Sequence, residues 1–383
     1  MGNNMKKVLL LAPMSSVHER FNKINIEVLK KLHCEIHIAT NFECGTREVV
    51  QHNLSYKKNI ESQGIIVHQI PFQRSSLIKN LSTVKLCRDL FNKEEFDMIH
   101  AHTETGGLIT RMAMPRNSNT KYLFTPHGMS FYKGSSLKSW ALYYPVERWI
   151  CNKMSSVLAM NQEELKILNV WNKTSAKYIH GIGLDVDAIQ ETMIDKEAKR
   201  EELGIPKDAF LVLSVGELNE NKNHVTILKA LAKINEPNLF YLICGEGHLK
   251  NYLGELCSRL NLSNRVILAG YRRDIPEILH IADLFAFPSY HEGLSVSLME
   301  AMATGLPVVC SEIRGNVDLI KDGKGGYLFT ADDTESYVKG LRLLIDDEEL
   351  RKQMAITNIG CIKKFSKDLV FQETAQIYEE SLR

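Results

Sequence analysis

Leu284-Phe285-Ala286-Phe287, Pro288-Ser289-Tyr290-His291-Glu292-Gly293-Leu294, Ser295-Val296-Ser297-Leu298-Met299-Glu300-Ala301-Met302-Ala303-Thr304 and Gly305-Leu306-Pro307-Val308-Val309-Cys310 follow one another without a break and set the fold class. An apolar run of strand length leads into a polar loop. A segment with helical spacing follows, then a glycine, a proline and a second apolar run. Ser295 is a natural helix N-cap, Gly305 suits the C-cap, and Pro307 cannot continue the helix. The two flanking runs are apolar throughout rather than alternating, so the strands they predict are covered on both faces, as in a parallel sheet.

The same strand–helix alternation extends in both directions. Strands are predicted at 8–12, 35–40, 65–70, 97–101, 122–125, 156–160 and 177–180 in the first half. In the second half they fall at 210–215, 239–244, 265–268, 284–287, 308–310 and 326–329. Helical patterns lie between most of them, for example at 22–32, 77–91, 223–234, 248–260, 295–304 and 334–345. Regular β/α alternation means parallel sheets wrapped by helices, and a chain of 383 residues is long enough for two such domains. The expected architecture is therefore α/β: two doubly wound, Rossmann-like domains facing an interdomain cleft. The junction is expected after His180-Gly181-Ile182-Gly183, giving a domain at 1–183 and another at 184–365. The last segment, 366–383, reads as an amphipathic helix.

Composition narrows the class. Apolar residues make up 44% and charged residues 24%, so disordered and fibrous classes are excluded. The net charge of +1 argues against a strongly basic nucleic-acid binder. Charge is uneven along the chain: residues 1–185 hold 24 basic and 15 acidic side chains, residues 186–383 hold 23 and 31. A basic first half suits an anionic partner or a membrane surface. The eight cysteines form no C-x-x-C pair, which removes zinc and thioredoxin-like readings and fits a reducing cytosol. Lys6-Lys7 before Val8-Leu9-Leu10-Leu11-Ala12-Pro13 imitates a signal peptide, but the run is short and is better explained as a buried strand.

Ligands of doubly wound sheets bind at the carboxyl ends of the strands. Glu292 precedes the helix of the 284–310 stretch and Glu300 lies within it. Taken as helical positions eight apart, the two carboxylates would be roughly 80° apart in azimuth and about 12 Å apart along the axis. That separation suits two ends of one long ligand, with the helix N-terminus between them as a diphosphate site. A capped amphipathic helix with two surface glutamates explains the same residues about as well. Leu213-Ser214-Val215-Gly216-Glu217-Leu218-Asn219-Glu220-Asn221-Lys222-Asn223-His224 places Lys222 just past another strand, where it can meet a phosphate as a point charge. Tyr271, after a third strand and followed by Arg272, is placed to cover a base.

In the first half, Thr125-Pro126-His127-Gly128 aims His127 into the same cleft, and Gly128 permits a close backbone approach. His100-Ala101-His102 puts two imidazoles on one side of a strand; with no third ligand evident, polar lining of an acceptor site is the better reading than a metal. Residues 132–153 mix Tyr132, Trp140, Tyr143, Tyr144 and Trp149 with Lys133, Lys138, Arg148 and Lys153, which suits either a membrane interface or a helix packed on the core. Gly245-Glu246-Gly247 imitates the start of a dinucleotide fingerprint but lacks the third glycine.

These motifs together resemble the retaining glycosyltransferases of family 4, which have the GT-B fold, and the likeness is nearest to bacterial exopolysaccharide and capsule transferases. It runs over essentially the whole chain and is carried by Glu292 and Glu300 as the E-x7-E motif, by Glu300-Ala301-Met302-Ala303-Thr304-Gly305-Leu306-Pro307-Val308-Val309, by Ile99-His100-Ala101-His102-Thr103, by Thr125-Pro126-His127-Gly128 and by Gly216 to His224. The resemblance implies a donor-binding set of Gly216, Glu217, Asn221, Lys222, Tyr271, Arg272, Glu292, Gly293, Leu294, Ser295 and Glu300. It implies His127, Glu292 and Lys222 as catalytic residues, and Ser15, His18, His100, His102 and Tyr132 on the acceptor side. It implies a first domain that binds acceptor, a second that binds donor, and a C-terminal helix packed back on the first. The co-substrate would be a nucleotide sugar, most readily a UDP-sugar, with no other cofactor and no metal. The acceptor would be a polyprenyl-diphosphate-linked glycan, and the enzyme cytoplasmic, peripheral on the inner face of the cell membrane, with no nucleic-acid partner. Two departures stand out: Glu217 replaces the arginine many members carry, and Pro13-Met14-Ser15-Ser16-Val17-His18 replaces a common glycine pair. A sugar-nucleotide epimerase, a non-catalytic partner of a glycan complex and a dehydrogenase are the competing readings.

Overall fold

The computed structural model describes residues 5–73, 80–132, 134–171, 175–234 and 236–383. They form two compact units, Met1–Gly183 with Lys367–Arg383, and Leu184–Ser366.

The first unit is built on a seven-stranded sheet: β1 (Lys7–Met14), β2 (Glu35–Asn41), β3 (Ile66–Gln69), β4 (Met98–His102), β5 (Lys121–Thr125), β6 (Ser156–Ala159) and β7 (Ser175–Tyr178). All pairs are parallel and the spatial order is β3-β2-β1-β4-β5-β6-β7. The second unit holds β8 (Phe210–Val215), β9 (Leu239–Cys244), β10 (Val266–Gly270), β11 (Leu284–Phe287), β12 (Val308–Ser311) and β13 (Gly326–Phe329) in the order β10-β9-β8-β11-β12-β13, again parallel. Each sheet reverses its winding at one place, between β1 and β4 and between β8 and β11. Such a switch point opens a crevice outside the carboxyl ends of the two strands.

Burial explains why the strands read as unbroken apolar runs. In β8, Leu211 and Leu213 join Phe285 and Phe287 in one core, while Val212 joins Leu284 and Ala286 in the core on the opposite face. Both faces of the strand are therefore dry. Each leucine or phenylalanine so buried contributes about 1.5–3 kcal/mol. In the first unit Leu9, Leu11, Ile99, Ala101 and Phe124 share one core, with Val8 and Leu10 fully buried as well.

The C-terminal helix Lys367–Leu382 belongs to the first unit. The Tyr378 hydroxyl lies 2.7 Å from His100 Nδ1, and Glu373 accepts from the His180 backbone N–H at 3.0 Å and pairs with His180 Nδ1 at 2.6 Å. Gly183 has φ +75°, and a Cβ there would stand 2.1 Å from Ile24 Cδ1 and 3.2 Å from the Lys367 backbone. Only glycine lets the chain leave the first unit at this point.

The aromatic–basic segment divides its side chains between core and solvent. Phe131, Trp140, Tyr144 and Trp171 pack ring on ring, with centroids 4.9–6.0 Å apart. On the helix Leu137–Cys151, Leu137 and Leu142 are instead exposed, at 88% and 60%, and Trp149 is stacked by Arg111. Lys133 lies outside the described residues.

Candidate functional site

In the second unit the loops after β8 and β11 meet at the switch point and are locked to one another. Asn219 accepts from the Lys222 backbone N–H at 3.1 Å and so caps the single turn Glu220–Lys222. Asn223 then takes φ +49°, a conformation asparagine tolerates better than most residues, and its side chain donates to Pro288 O and Ala331 O. Asn221 donates to His291 O at 2.9 Å, and the Tyr290 N–H donates to Asn221 O at 2.8 Å.

This lacing delivers Lys222 to Glu292, with Nζ 2.5 Å from Oε1, both side chains largely buried. The ammonium also stands 4.8 Å above the Phe287 ring. Gly216 gives the lysine stem its room: a Cβ there would lie 3.1 Å from Lys222 Cδ and Cε. Below the pair runs a backbone mesh. The Gly216 N–H donates to Cys244 O, the Leu218 N–H to Glu246 O, and the Gly245 N–H to Gly270 O.

Glu292 lies in the loop, because the helix that follows β11 begins only at Val296 and ends at Ala303. The helical azimuth between Glu292 and Glu300 therefore does not apply, and Glu300 sits little more than one turn inside. Ser295 caps this helix by accepting from the Leu298 N–H at 3.3 Å. Burial pushes the Glu300 carboxyl up to about 7. Gly293 and Leu294 are half-buried, and Gly315 presses on them: a Cβ on Gly315 would stand 2.3 Å from Gly293 O. Beside them the buried guanidinium of Arg314 reaches His291 Nε2 at 2.6 Å. The other side chains expected at the donor stand differently. Tyr271 is exposed, and Arg272 is bound into an ionic network with Asp274, Glu202 and Lys199. Glu217 is exposed.

In the first unit the imidazoles gather at the other switch point. His18 is carried by the helix Ser15–Phe21 after β1, His100 and His102 lie in β4, and His127 follows β5. His102 Nδ1 is 3.0 Å from His127 Nε2, and the His100 and His102 rings are 4.1 Å apart. His100 Nε2 is 2.8 Å from Thr125 Oγ1. Burial holds all four below the usual imidazole range, His18 and His127 at about 4 and His100 at about 3. They are neutral at pH 7. Ser15 is buried at the head of the His18 helix, whereas the Tyr132 backbone is tied to Ser135 and Trp140. Among the described residues no group of three His, Cys, Asp or Glu side chains is arranged to hold a metal ion.

Sequence reasoning passed over the acids that hold the His127 loop. Glu164 accepts from the Met129 N–H at 2.8 Å, and both Glu104 and Glu147 accept from the Ser130 N–H at 2.9 Å. Burial and the neighbouring Glu104 carboxyl keep Glu147 protonated at neutral pH. Glutamates in amphipathic helices normally face water, so only the tertiary fold shows these turned inward. Asn219, Asn223 and Arg314 were likewise missed; the positive φ of Asn223 is the one trait its residue type advertises.

Residues 195–358 match the family described as Glycosyl transferases group 1, and residues 7–161 match Glycosyl transferase 4-like. The chain is 30% identical over 286 residues to an Escherichia coli UDP-Gal:alpha-D-GlcNAc-diphosphoundecaprenol alpha-1,3-galactosyltransferase, covering 72% of this chain and 73% of that one. The chain belongs to the glycosyltransferases. It is also 29% identical over 380 residues to Bacillus subtilis (strain 168) EpsD, provisionally called a glycosyltransferase, covering 97% and 96% of the two chains. Among solved structures, Anabaena HepE in complex with UDP superimposes with a TM-score of 0.79 at 21% identity, over 98% of this chain and 100% of that one. As a glycosyltransferase this chain has the GT-B fold that the family resemblance implies, built from the two doubly wound sheets that the alternation of strands and helices predicts.

Proposed function

We propose that this glycosyltransferase moves a sugar, with retention of anomeric configuration, from a UDP-sugar to a polyprenyl-diphosphate-linked glycan during exopolysaccharide or capsule assembly. The observation that carries the reading is the Lys222–Glu292 pair, held 2.5 Å apart beside a capped helix at the switch point of the second unit. A donor diphosphate competes with Glu292 for the lysine, and the N–H groups at 293–295 add hydrogen bonds. Glu292, released, faces the sugar; Glu300 takes the ribose hydroxyls. The second unit is the donor side and the first the acceptor side. Without a nucleophile in the set, the reaction is a front-face displacement in which the leaving diphosphate takes the acceptor's proton, and the enzyme stabilises that leaving group. The names of the Escherichia coli relative and of the HepE complex support a UDP donor and a lipid-diphosphate acceptor. Exposed Leu137, Leu142 and Trp149 with Lys138 and Arg148 suit peripheral contact with the inner face of the membrane; no helix among the described residues is long and apolar enough to cross it.

The test is product formation from a panel of UDP-sugars and undecaprenyl-diphosphate-linked sugars, with the linkage read by NMR. An α-linked product from an α-configured donor is expected. Conversion of donor alone, without acceptor, identifies an epimerase and overturns the proposal.

Glu300 gives this reading a pH signature. A carboxyl raised to about 7 is half-protonated near neutrality. The ribose hydroxyls donate to the ionised form, so donor affinity rises with pH and levels off above 8. Affinity for UDP-glucose, whose diphosphate does not titrate there, is expected to increase about tenfold between pH 6 and 8. Glu300→Gln flattens the profile. In the free protein the sign is opposite: the raised value favours the protonated fold, a contribution present at low pH and lost as pH rises through about 7.

A further inference from the structure

His102 and His127 are joined through His102 Nδ1 and His127 Nε2 at 3.0 Å. Both are neutral, so one of these nitrogens carries a proton and the other a lone pair. Two arrangements satisfy the bond. If His127 donates, His102 carries its own proton on Nε2. That atom is buried and has no hydrogen-bond partner among the described residues. If His102 donates, its bare lone pair occupies the orphan position instead. Orphaned buried N–H groups are the rarer of the two, and leaving a donor unsatisfied costs about 1–3 kcal/mol. The second arrangement is therefore favoured.

The surroundings hold the pair in place. His100 is saturated by the Tyr378 and Thr125 hydroxyls, so its ring packs against His102 without competing for it. His127 has φ +61°, a left-handed conformation that a histidine adopts at a cost, and Gly128 follows at φ +120°. The carboxyl groups of Glu164, Glu104 and Glu147 clamp the next two amides. A strained residue fixed by so many contacts is a mark of function. Among the described residues nothing is bonded to His127 Nδ1, and the residue is partly open to solvent.

We infer that His102 is a positioning residue that fixes His127 as its Nδ1–H tautomer, so that His127 offers a hydrogen-bond donor at Nδ1 and no basic nitrogen. His127 then binds an oxygen of the substrate, a sugar hydroxyl or an oxygen gaining negative charge, and does not remove the acceptor's proton. This role rests on the transferase reading above; the tautomer does not, and it is measurable without turnover.

The experiment is long-range 15N–1H correlation NMR on the full chain with 15N-labelled histidine, with His127 assigned through its backbone. The expected spectrum shows Nδ1 protonated and Nε2 bare in the wild type. A protonated Nε2 on His127 overturns the inference whatever the enzyme's activity. Two variants then test the role. His102→Asn keeps an N–H near the position of Nδ1, whereas His102→Leu removes it. His102→Leu is expected to lower kcat about 30-fold with the donor KM changed less than about threefold, and His102→Asn to recover most of that loss. Equal losses in the two variants, or a loss confined to KM, contradict the positioning role.

Discussion

Lys222→Ala is expected to lower kcat/KM for the donor by about 10³-fold, the scale of losing one preorganised group that stabilises charge developing on a leaving oxygen. The effect follows from how Lys222 is held. Its backbone is capped by Asn219, its stem lies along Gly216, and its ammonium is bracketed by Phe287 and Glu292. Apart from the exchange of Glu292 for the diphosphate, no part of that arrangement has to be organised during the reaction. Glu217, exposed on the same loop, adds no cation to compensate for the loss. Part of the effect comes from Glu292, which keeps a largely buried carboxylate without its partner. The double variant Lys222→Ala/Glu292→Gln separates the two contributions: it restores thermal stability but not turnover. Lys222→Arg is not expected to rescue, because a planar guanidinium does not fit the space a compact ammonium occupies over Phe287. A Lys222→Ala enzyme within threefold of wild type would remove the lysine from the leaving-group site.

Stability is expected to suffer most from Gly245→Ala. A Cβ at this position would stand 1.8 Å from Gly216 O and 2.8 Å from Gly216 C, both backbone atoms. No side chain can rotate away, so the strand ends after β8 and β9 must separate. The bonds from Gly216 to Cys244 and from Gly245 to Gly270 are strained with them. A cost of about 3–5 kcal/mol follows, at the upper end for single substitutions, which lowers the melting temperature of a unit this size by roughly 10 °C. Donor binding falls as well, because the displaced strand end carries Gly216 beside Lys222. Gly254→Ala is the matched control. It lies in the helix Lys250–Arg259, where an added methyl group would meet nothing within 4 Å, and alanine there stabilises the helix by about 0.5–1 kcal/mol. Differential scanning calorimetry distinguishes the two; equal melting temperatures would show that the loops after β8 and β9 are pliable.

The fold class was legible because its signal is local. The central strands, such as β1, β8, β9, β11 and β12, are apolar runs that are almost wholly buried, and each was recognisable without knowing its neighbours. The site is legible to the extent that it follows chain order. Lys222 and Glu292 each come just after a strand, and the two strands, β8 and β11, prove to be neighbours across a switch point. What depends on distant partners was not readable. The ion pairs of Arg272 with Asp274 and Glu202 are one case. Gly245 and Gly247 imitate a nucleotide fingerprint, yet each is required by a carbonyl of the adjoining loop, Gly216 O or Leu218 O. The geometry assigned to Glu292 failed because a loop residue was treated as helical. The inward carboxyls of Glu104, Glu147 and Glu164 had no counterpart in the sequence pattern, since periodicity assigns charged positions to solvent.

Isothermal titration of UDP into the wild type and into Lys222→Ala is the direct test of whether the second unit binds a nucleotide diphosphate through Lys222. Saturable binding to one site, weakened at least tenfold in the variant, is the predicted result. No heat of binding to wild type at millimolar UDP, or equal affinity in the two proteins, would contradict it.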